Sequence, residues 1–434
     1  MNIIIAGAGQ VGFNLAKTLS ISHNVTVIDK NEEALHRIQE SLDILPIKGD
    51  IENSESYEML KDTKIDLFIA VTNIDNVNLI ATMIASSVLT IDKTFVRLQK
   101  YFKDLFRIKE KLGIDEVIFP TRLASKSIAS LLNYPQANNI KLFRYTKNKL
   151  ISIRISKNFQ AKQISTNKFI IAGIEREKDF FIPSDDIVIQ PNDLVYLFGL
   201  EQNIREFCSS LEHTKKLIKI QNCVIYGGDE LGISIAKSFL EMGKNVKVIE
   251  KDLGLCEKAD TELRGEATVI NARYDAHELF IEENLHNADL FVATSKNDEF
   301  NIIKCLEAKE RGIEKIVAIN NDMQYYNFMH SLGIIATRGP KINVYNKIME
   351  EINSKGVVIQ KSFCGLKATI LLCKIHDHTK KIKPIQLSNS KIFYLREEEI
   401  YLLKDKEFLK KDDILVIITP AKTLPKVEKW IYGL

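Results

Sequence analysis

The 434 residues carry 60 basic and 57 acidic side chains, a formal charge of +3, with 45% apolar and 27% charged residues. That length calls for roughly two to four domains with cores of their own, and the charge is too balanced to imply a nucleic-acid surface, which needs a clustered basic excess. No apolar run approaches the roughly 18 residues of a membrane span.

In chain order, Asn2–Ala6 is a short apolar run that predicts a buried strand, entered from Met1 without the basic start of an export signal. Val11, Leu15 and Leu19 then have helical spacing. Strands are predicted at Val25–Ile28, Leu67–Val71 and Thr94–Leu98, with helices at Glu32–Leu42, Val77–Val88 and Tyr101–Leu112. Pro120 fits the first turn of a further helix covering Arg122–Leu132. Strands alternating with helices predict a parallel, doubly wound sheet. From about Ile140 the rhythm changes to short strands at Lys149–Ile155, Phe169–Glu175 and Asp193–Phe198, separated by polar turns such as Pro183-Ser184-Asp185-Asp186.

The pattern then repeats. Ile65-Asp66-Leu67-Phe68-Ile69-Ala70 returns as Ala288-Asp289-Leu290-Phe291-Val292-Ala293, and Asp75-Asn76-Val77-Asn78 as Asp298-Glu299-Phe300-Asn301. Gly7 and Gly12 match Gly227 and Gly232, Asp29 matches Glu250, and Asp193 matches Asp413, at an offset of 220 residues for most positions. The chain is a tandem duplication. Its expected fold class is α/β: tandem Rossmann-like, doubly wound parallel sheets, each followed by a small β-rich α+β subdomain. The expected domains are 1–137, 138–212, 218–352 and 356–434.

Gly7-Ala8-Gly9-Gln10-Val11-Gly12 is a G-x-G-x-x-G between a strand and a helix. Its glycines permit a tight turn, close approach of a pyrophosphate and close helix–strand packing, and the helix N-terminus favours the anion. Asp29 ends the next strand, 22 residues after Gly7, where a carboxylate accepts ribose hydroxyls. An acid there favours NAD over NADP, although Lys30 beside it weakens the preference.

The second turn, Gly227-Gly228-Asp229-Glu230-Leu231-Gly232, replaces the middle glycine with Asp229. Two carboxylates at a phosphate site put that site in doubt, although Glu250 retains the ribose-binding position. Six scattered cysteines without a C-x-x-C pair predict reduced, buried fillers rather than a zinc or dithiol site. His376 and His378 read as a solvated loop rather than metal ligands. No acid, base or nucleophile has a distinctive setting, which argues against catalysis.

These motifs resemble the TrkA family, nucleotide-binding subunits of bacterial Trk potassium uptake built from RCK (KTN) units. The resemblance rests on Ile4–Gly12, the acid at Asp29, Lys48-Gly49-Asp50, the stretch from Ala70 to Leu79, Val96-Arg97-Leu98 and Leu112–Pro120. It implies that Gly7–Gly12 hold phosphates, Asp29 the ribose and Arg97 a phosphate, with Asp50 near the adenine and Thr72-Asn73 beneath the nucleotide. In the second unit, Arg273 and Ile319 stand where Asp50 and Arg97 are matched. The resemblance further implies NAD(H) or ATP/ADP as ligand and a TrkH- or TrkG-like membrane pore subunit as partner. The homo-oligomer would be a tetramer, cytoplasmic and peripheral on the inner face of the membrane. A regulator of another cation channel or exchanger, and an NAD-dependent oxidoreductase, are the alternatives. Regulation mainly through the first lobe would make loss of the Glu250 carboxylate inconsequential.

Overall fold

The computed structural model describes residues 1–434 except 102, 135–136, 144, 165–167, 178, 184–186, 212–219, 273–280, 354–357, 366, 376–379, 383–388, 405–406 and 433–434. Arg273, His376, His378 and most of the Pro183–Asp186 turn therefore lie outside the described residues. Among the described residues no helix is long and apolar enough to cross a membrane. The chain divides into two compact units, one of residues 1–126, 229–234 and 338–349, the other of 127–228, 235–337 and 350–434.

The first unit contains the first parallel sheet, with strands β1 (Asn2–Ala6), β2 (Asn24–Asp29), β3 (Leu45–Lys48), β4 (Leu67–Ala70), β5 (Thr94–Arg97) and β6 (Glu116–Ile118). Their order is β3-β2-β1-β4-β5-β6, a Rossmann order that reverses direction between β1 and β4. Both sheet faces are covered, so β1 and β4 read as continuous apolar runs and are buried almost throughout. Helix α1 (Gln10–Leu19) buries Val11, Leu15, Ala16 and Leu19 along one stripe. Helices α2 (Glu32–Gln39), α3 (Asp75–Val88), α4 (Leu105–Lys111) and α5 (Pro120–Ser130) complete the lobe.

Strand β3 escaped the periodicity reading because it is short and holds Pro46, tolerated at a sheet edge where one ladder is absent. Helix α4 starts later than the apolar spacing suggests. Tyr101 stays outside it with its ring 5.9 Å from that of Phe119.

The second unit contains two five-stranded antiparallel sheets. The first comprises β7 (Ala137–Leu142), β8 (Lys149–Arg154), β10 (Phe169–Arg176), β11 (Asp179–Phe181) and β13 (Leu194–Gly199), accompanied by the short pair β9 (Lys162–Gln163) and β12 (Val188–Ile189). Helix α6 (Glu201–Leu211) follows. The unit continues into the second parallel sheet: β14 (Asn222–Tyr226), β15 (Asn245–Glu250), β16 (Thr268–Asn271), β17 (Leu290–Ala293), β18 (Lys315–Asn320) and β19 (Ile335–Arg338). Its order, β16-β15-β14-β17-β18-β19, repeats that of the first. The associated helices are α7 (Glu230–Glu241), α8 (Leu253–Leu263), α9 (Asp298–Glu310), α10 (Tyr326–Ser331) and α11 (Pro340–Asn353), of which α7 up to residue 234 and α11 up to residue 349 belong to the first unit.

The last segment forms β20 (Val358–Phe363), β21 (Ala368–Lys374), β23 (Lys391–Arg396), β24 (Glu399–Leu402) and β26 (Ile414–Pro420). The short pair β22 (Lys380–Ile382) and β25 (Glu407–Leu409) and the helix α12 (Leu424–Tyr432) accompany them. The strand order β20-β21-β26-β23-β24 repeats β7-β8-β13-β10-β11.

The two antiparallel sheets share one core. Phe143, Leu150, Ala172 and Phe198 of the first pack with Ile359, Phe363, Ile370 and Val416 of the second. At the edge of that core the Glu398 carboxylate accepts from Thr146 Oγ1, from Lys147 N at 3.0 Å and from Asn148 Nδ2 at 2.8 Å. The six cysteines are all free and buried.

A polar cluster joins β8, β10, α10 and the turn after β20 in this unit. Glu175 on β10 accepts the Cys364 thiol at 2.7 Å, and its other oxygen lies 3.6 Å from His330 Nδ1 on α10. Arg154 on β8 approaches His330 Nε2 at 3.4 Å. Since arginine can only donate, this contact is a hydrogen bond when Nε2 is unprotonated. Burial holds His330 below the ordinary histidine value, with Arg154 and Lys367 adding to that effect and Glu175 opposing it. A base whose folded pKa is depressed contributes fully above its unfolded value and costs stability as pH falls through the window below it. The expected result is a melting temperature that declines below about pH 6.5, with the decline flattened in His330→Gln. Identical pH profiles for the two proteins would show that this histidine does not titrate across folding.

Candidate functional site

Strand β1 delivers the chain into the first glycine turn at the sheet's crossover point. Gly7 has φ +114°, a backbone that L side chains rarely adopt, and it is anchored by its N–H to Ile28 O at 2.9 Å. A Cβ on Gly12 would stand 1.9 Å from Gly7 O, so only glycine lets α1 start this close to the strand. Gly9 differs: its φ of −68° suits any residue, and a Cβ there would meet nothing within 4 Å. It stands at the N-cap of α1, and no side chain caps that helix. The first amides of α1 therefore have no side-chain cap, and the space where a Gly9 Cβ would lie is open.

Asp29, ending β2, accepts from Ala8 N at 2.6 Å and Asn31 N at 2.8 Å, which fixes its carboxylate beside the turn. Gly49 N donates to Asp29 O at 3.1 Å, and Asp50 follows, its Oδ1 accepting from Glu52 N at 3.0 Å. On the other side of β1, a Cβ on Gly7 would lie 3.1 Å from Thr72 Cγ2. Asn73 Oδ1 accepts from Arg97 Nη1 at 2.9 Å. Arg97 is only 7% exposed and its Nε is buried without a partner. Burial pulls this guanidinium below its ordinary pKa, opposed by Asp75. A buried cation with a spare N–H, a row of uncapped amides and an open glycine suit an anionic ligand. The residues Gly7–Gly12, Asp29, Asp50, Thr72, Asn73 and Arg97 thus gather along one edge of the sheet, at the carboxyl ends of its strands.

Two supports were not singled out from the sequence. Asn78, fully buried, accepts from Thr72 N at 2.9 Å and donates to Arg97 O at 2.8 Å, tying β4 to β5 beneath the site. Asp75 accepts from Gln99 N and Lys100 N at 2.8 and 2.9 Å. Their signal was the repeat itself, since Asn301 makes the same bonds to Ser295 N and Ile319 O. Those bonds also fix Ile319 as the positional equivalent of Arg97.

The second turn is built differently. Gly227 keeps the left-handed backbone at φ +124°. Asp229 Oδ1 accepts from Leu231 N at 3.0 Å and Gly232 N at 3.2 Å, so α7 is capped by its own carboxylate. Glu230 follows as the first residue of α7. Glu250 accepts from Gly228 N at 2.6 Å, Lys251 N at 2.6 Å and Asp252 N at 3.0 Å. These bonds fix the carboxylate beside the turn, as Asp29 is fixed in the first lobe. Glu250→Ala removes the acceptor of Gly228 N, in a part-buried bond, while Lys251 N and Asp252 N, in exposed bonds, turn to water.

Fold and turn together define a tandem Rossmann-type α/β protein of the dinucleotide-binding class. The TrkA-N domain matches residues 3–120 and again 223–338, and the TrkA-C domain matches 157–212. The chain belongs to the TrkA family. A Methanosarcina mazei Trk system potassium uptake protein TrkA homolog 1 is 26% identical over 99% of this chain and 100% of its own length. The Vibrio alginolyticus Trk system potassium uptake protein TrkA is 25% identical over 97% and 96%. Among solved structures, the GsuK RCK domain superposes with a TM-score of 0.60 at 13% identity, covering 100% of this chain and 95% of that one. The GsuK channel bound to NAD gives 0.60 at 14%, covering 100% and 79%.

Proposed function

We propose that this chain is the nucleotide-responsive regulatory subunit of a Trk-type potassium uptake system, acting without catalysis. The observation that carries it is the first-lobe turn, with Gly9 open, α1 uncapped and Asp29 and Arg97 held on either side. Gly7, Ala8, Gly9, Gln10, Val11 and Gly12 hold the phosphates, Asp29 the ribose and Arg97 a phosphate. Asp50, Thr72 and Asn73 line the remainder. NAD(H) is the leading ligand and ATP or ADP the alternative, a choice supported by the GsuK structures bound to NAD and to ADP. In the second lobe, Gly227–Leu231 and Glu250 form at most a weak site.

The functional domains are 1–137, 138–212, 218–352 and 356–434. The protein works in the cytoplasm, on the inner face of the membrane, against a TrkH- or TrkG-like pore subunit. It does so as a homo-oligomer, a tetramer. Exposed apolar side chains support assembly: Ile80, Met83 and Phe106 on α3 and α4, and Ile303 and Phe328 on the corresponding helices of the second lobe. Regulation follows if nucleotide binds two shapes of the assembly unequally and so shifts their populations against the pore.

The test combines light scattering of the purified protein, co-sedimentation with vesicles carrying the pore subunit, and potassium uptake with and without NADH. The expected outcome is an oligomer that sediments with the vesicles and an uptake rate that responds to NADH. Asp29→Ala should lose that response. A monomer that ignores the vesicles would sink the proposal.

A further inference from the structure

We propose that Lys341, contributed by the second half of the chain, is a phosphate-binding residue of the first lobe. The inference rests on reading that lobe as a nucleotide site. Lys341 is the second residue of α11, and the first part of this helix lies in the same compact unit as the first lobe. Its Nζ donates to Gln10 Oε1 at 3.0 Å, and Gln10 is the fourth residue of the glycine turn. The position is not a chance of one flexible side chain. Tyr345 OH lies 2.8 Å from Thr18 Oγ1 on α1, and Lys347 pairs with Glu116 on β6 at 3.4 Å. Three successive parts of α11 thus seat it along α1 and β6.

The chemistry of that contact matters. Gln10 is neutral, and no carboxylate among the described residues pairs with Lys341. An ammonium whose partner is an amide keeps its charge for a nearby anion, and exchanging the amide for a phosphate oxygen gains a charge-assisted bond.

The two halves show what this charge does. Gly9, Gln10, Asp29, Asp50, Arg97 and Lys341 sum to 0, whereas their positional equivalents Asp229, Glu230, Glu250, Arg273, Ile319 and Thr121 sum to −2. The lobe with an uncapped helix has cations at Arg97 and Lys341, and the lobe whose helix is capped by its own carboxylate has Ile319 and Thr121 at those two positions. Lys341 therefore makes the first lobe respond to the phosphate charge of its ligand.

The experiment is calorimetry on the full chain with adenosine, ADP, ATP and NADH, for the parent protein, Lys341→Ala and Lys341→Arg. Lys341→Ala is expected to weaken ADP, ATP and NADH about tenfold at low salt and to leave adenosine unchanged. It should also flatten the salt dependence, since a screened charge has been removed. Lys341→Arg should stay close to the parent. Unchanged affinity for the three phosphate ligands, or an equal loss for adenosine, would overturn the assignment. A parent protein that binds none of the four would instead overturn the underlying reading of the first lobe.

Discussion

Gly9→Asp is expected to weaken nucleotide binding to the first lobe severely while leaving the lobe folded. The second lobe has already made this substitution. Asp229 sits at the N-cap of α7 and satisfies Leu231 N and Gly232 N with its own carboxylate. Gly9 has an extended backbone compatible with any residue and free space where a Cβ would go. An aspartate there meets no clash and can cap Val11 N and Gly12 N in the same way. N-caps of this type stabilise by about 1 kcal/mol, so thermal stability should hold or rise. Binding should fall roughly a hundredfold, about 2.8 kcal/mol, because a fixed carboxylate takes the amides that a phosphate needs. Calorimetry with NADH and ADP, alongside a melting curve, checks both halves. Retained affinity would mean that the ligand does not use this turn.

Asp413→Ala is expected to cost about 3 kcal/mol of folding stability. Asp413 is 3% exposed and accepts from Arg396 Nε at 3.0 Å, Arg396 Nη2 at 2.7 Å and Lys410 N at 2.7 Å. Removing it takes the carboxylate from a guanidinium that keeps Phe408 O at 3.3 Å, and leaves Lys410 N without its acceptor at the base of β26. The side chain of Arg396 is 29% exposed, so water recovers part of the loss, which places the figure at the low end for a broken buried pair. Asp193 repeats the arrangement with Arg176 and Gln190 N, all at 2.8 Å, and Asp193→Ala should cost a similar amount. Denaturant titration of either variant would settle the point. A loss under about 1 kcal/mol would place these pairs with ordinary surface ones.

The sequence announced the parallel sheets because their strands are apolar throughout and their helices have clean spacing. The glycine turn was legible for the same reason, since Gly7 and Gly12 answer steric demands that few other residues meet. What stayed hidden was settled by distance rather than pattern. Pro46 disguised an edge strand. The two bonds that Asp229 makes to its own helix look, in sequence, like a simple excess of negative charge. No periodicity indicates that α11, more than 300 residues after Gln10, begins beside the turn it follows in the duplicate. The partnership of Asn78 with Arg97 O likewise joins residues 19 apart and became visible only through its copy at Asn301.

The common core of the two antiparallel sheets has a consequence for how the halves have diverged. A half-length protein that pairs with itself must satisfy the same surface twice, so every substitution at the seam appears on both sides. Joined in one chain, the halves are free of that constraint. One side of this seam can offer Thr146, Lys147 and Asn148 while the other answers with Glu398, a match that need hold in one direction only. The chain is, in effect, a heterodimer with a peptide bond between its partners. Such a pair can let one member abandon an ancestral pocket without the other losing its own.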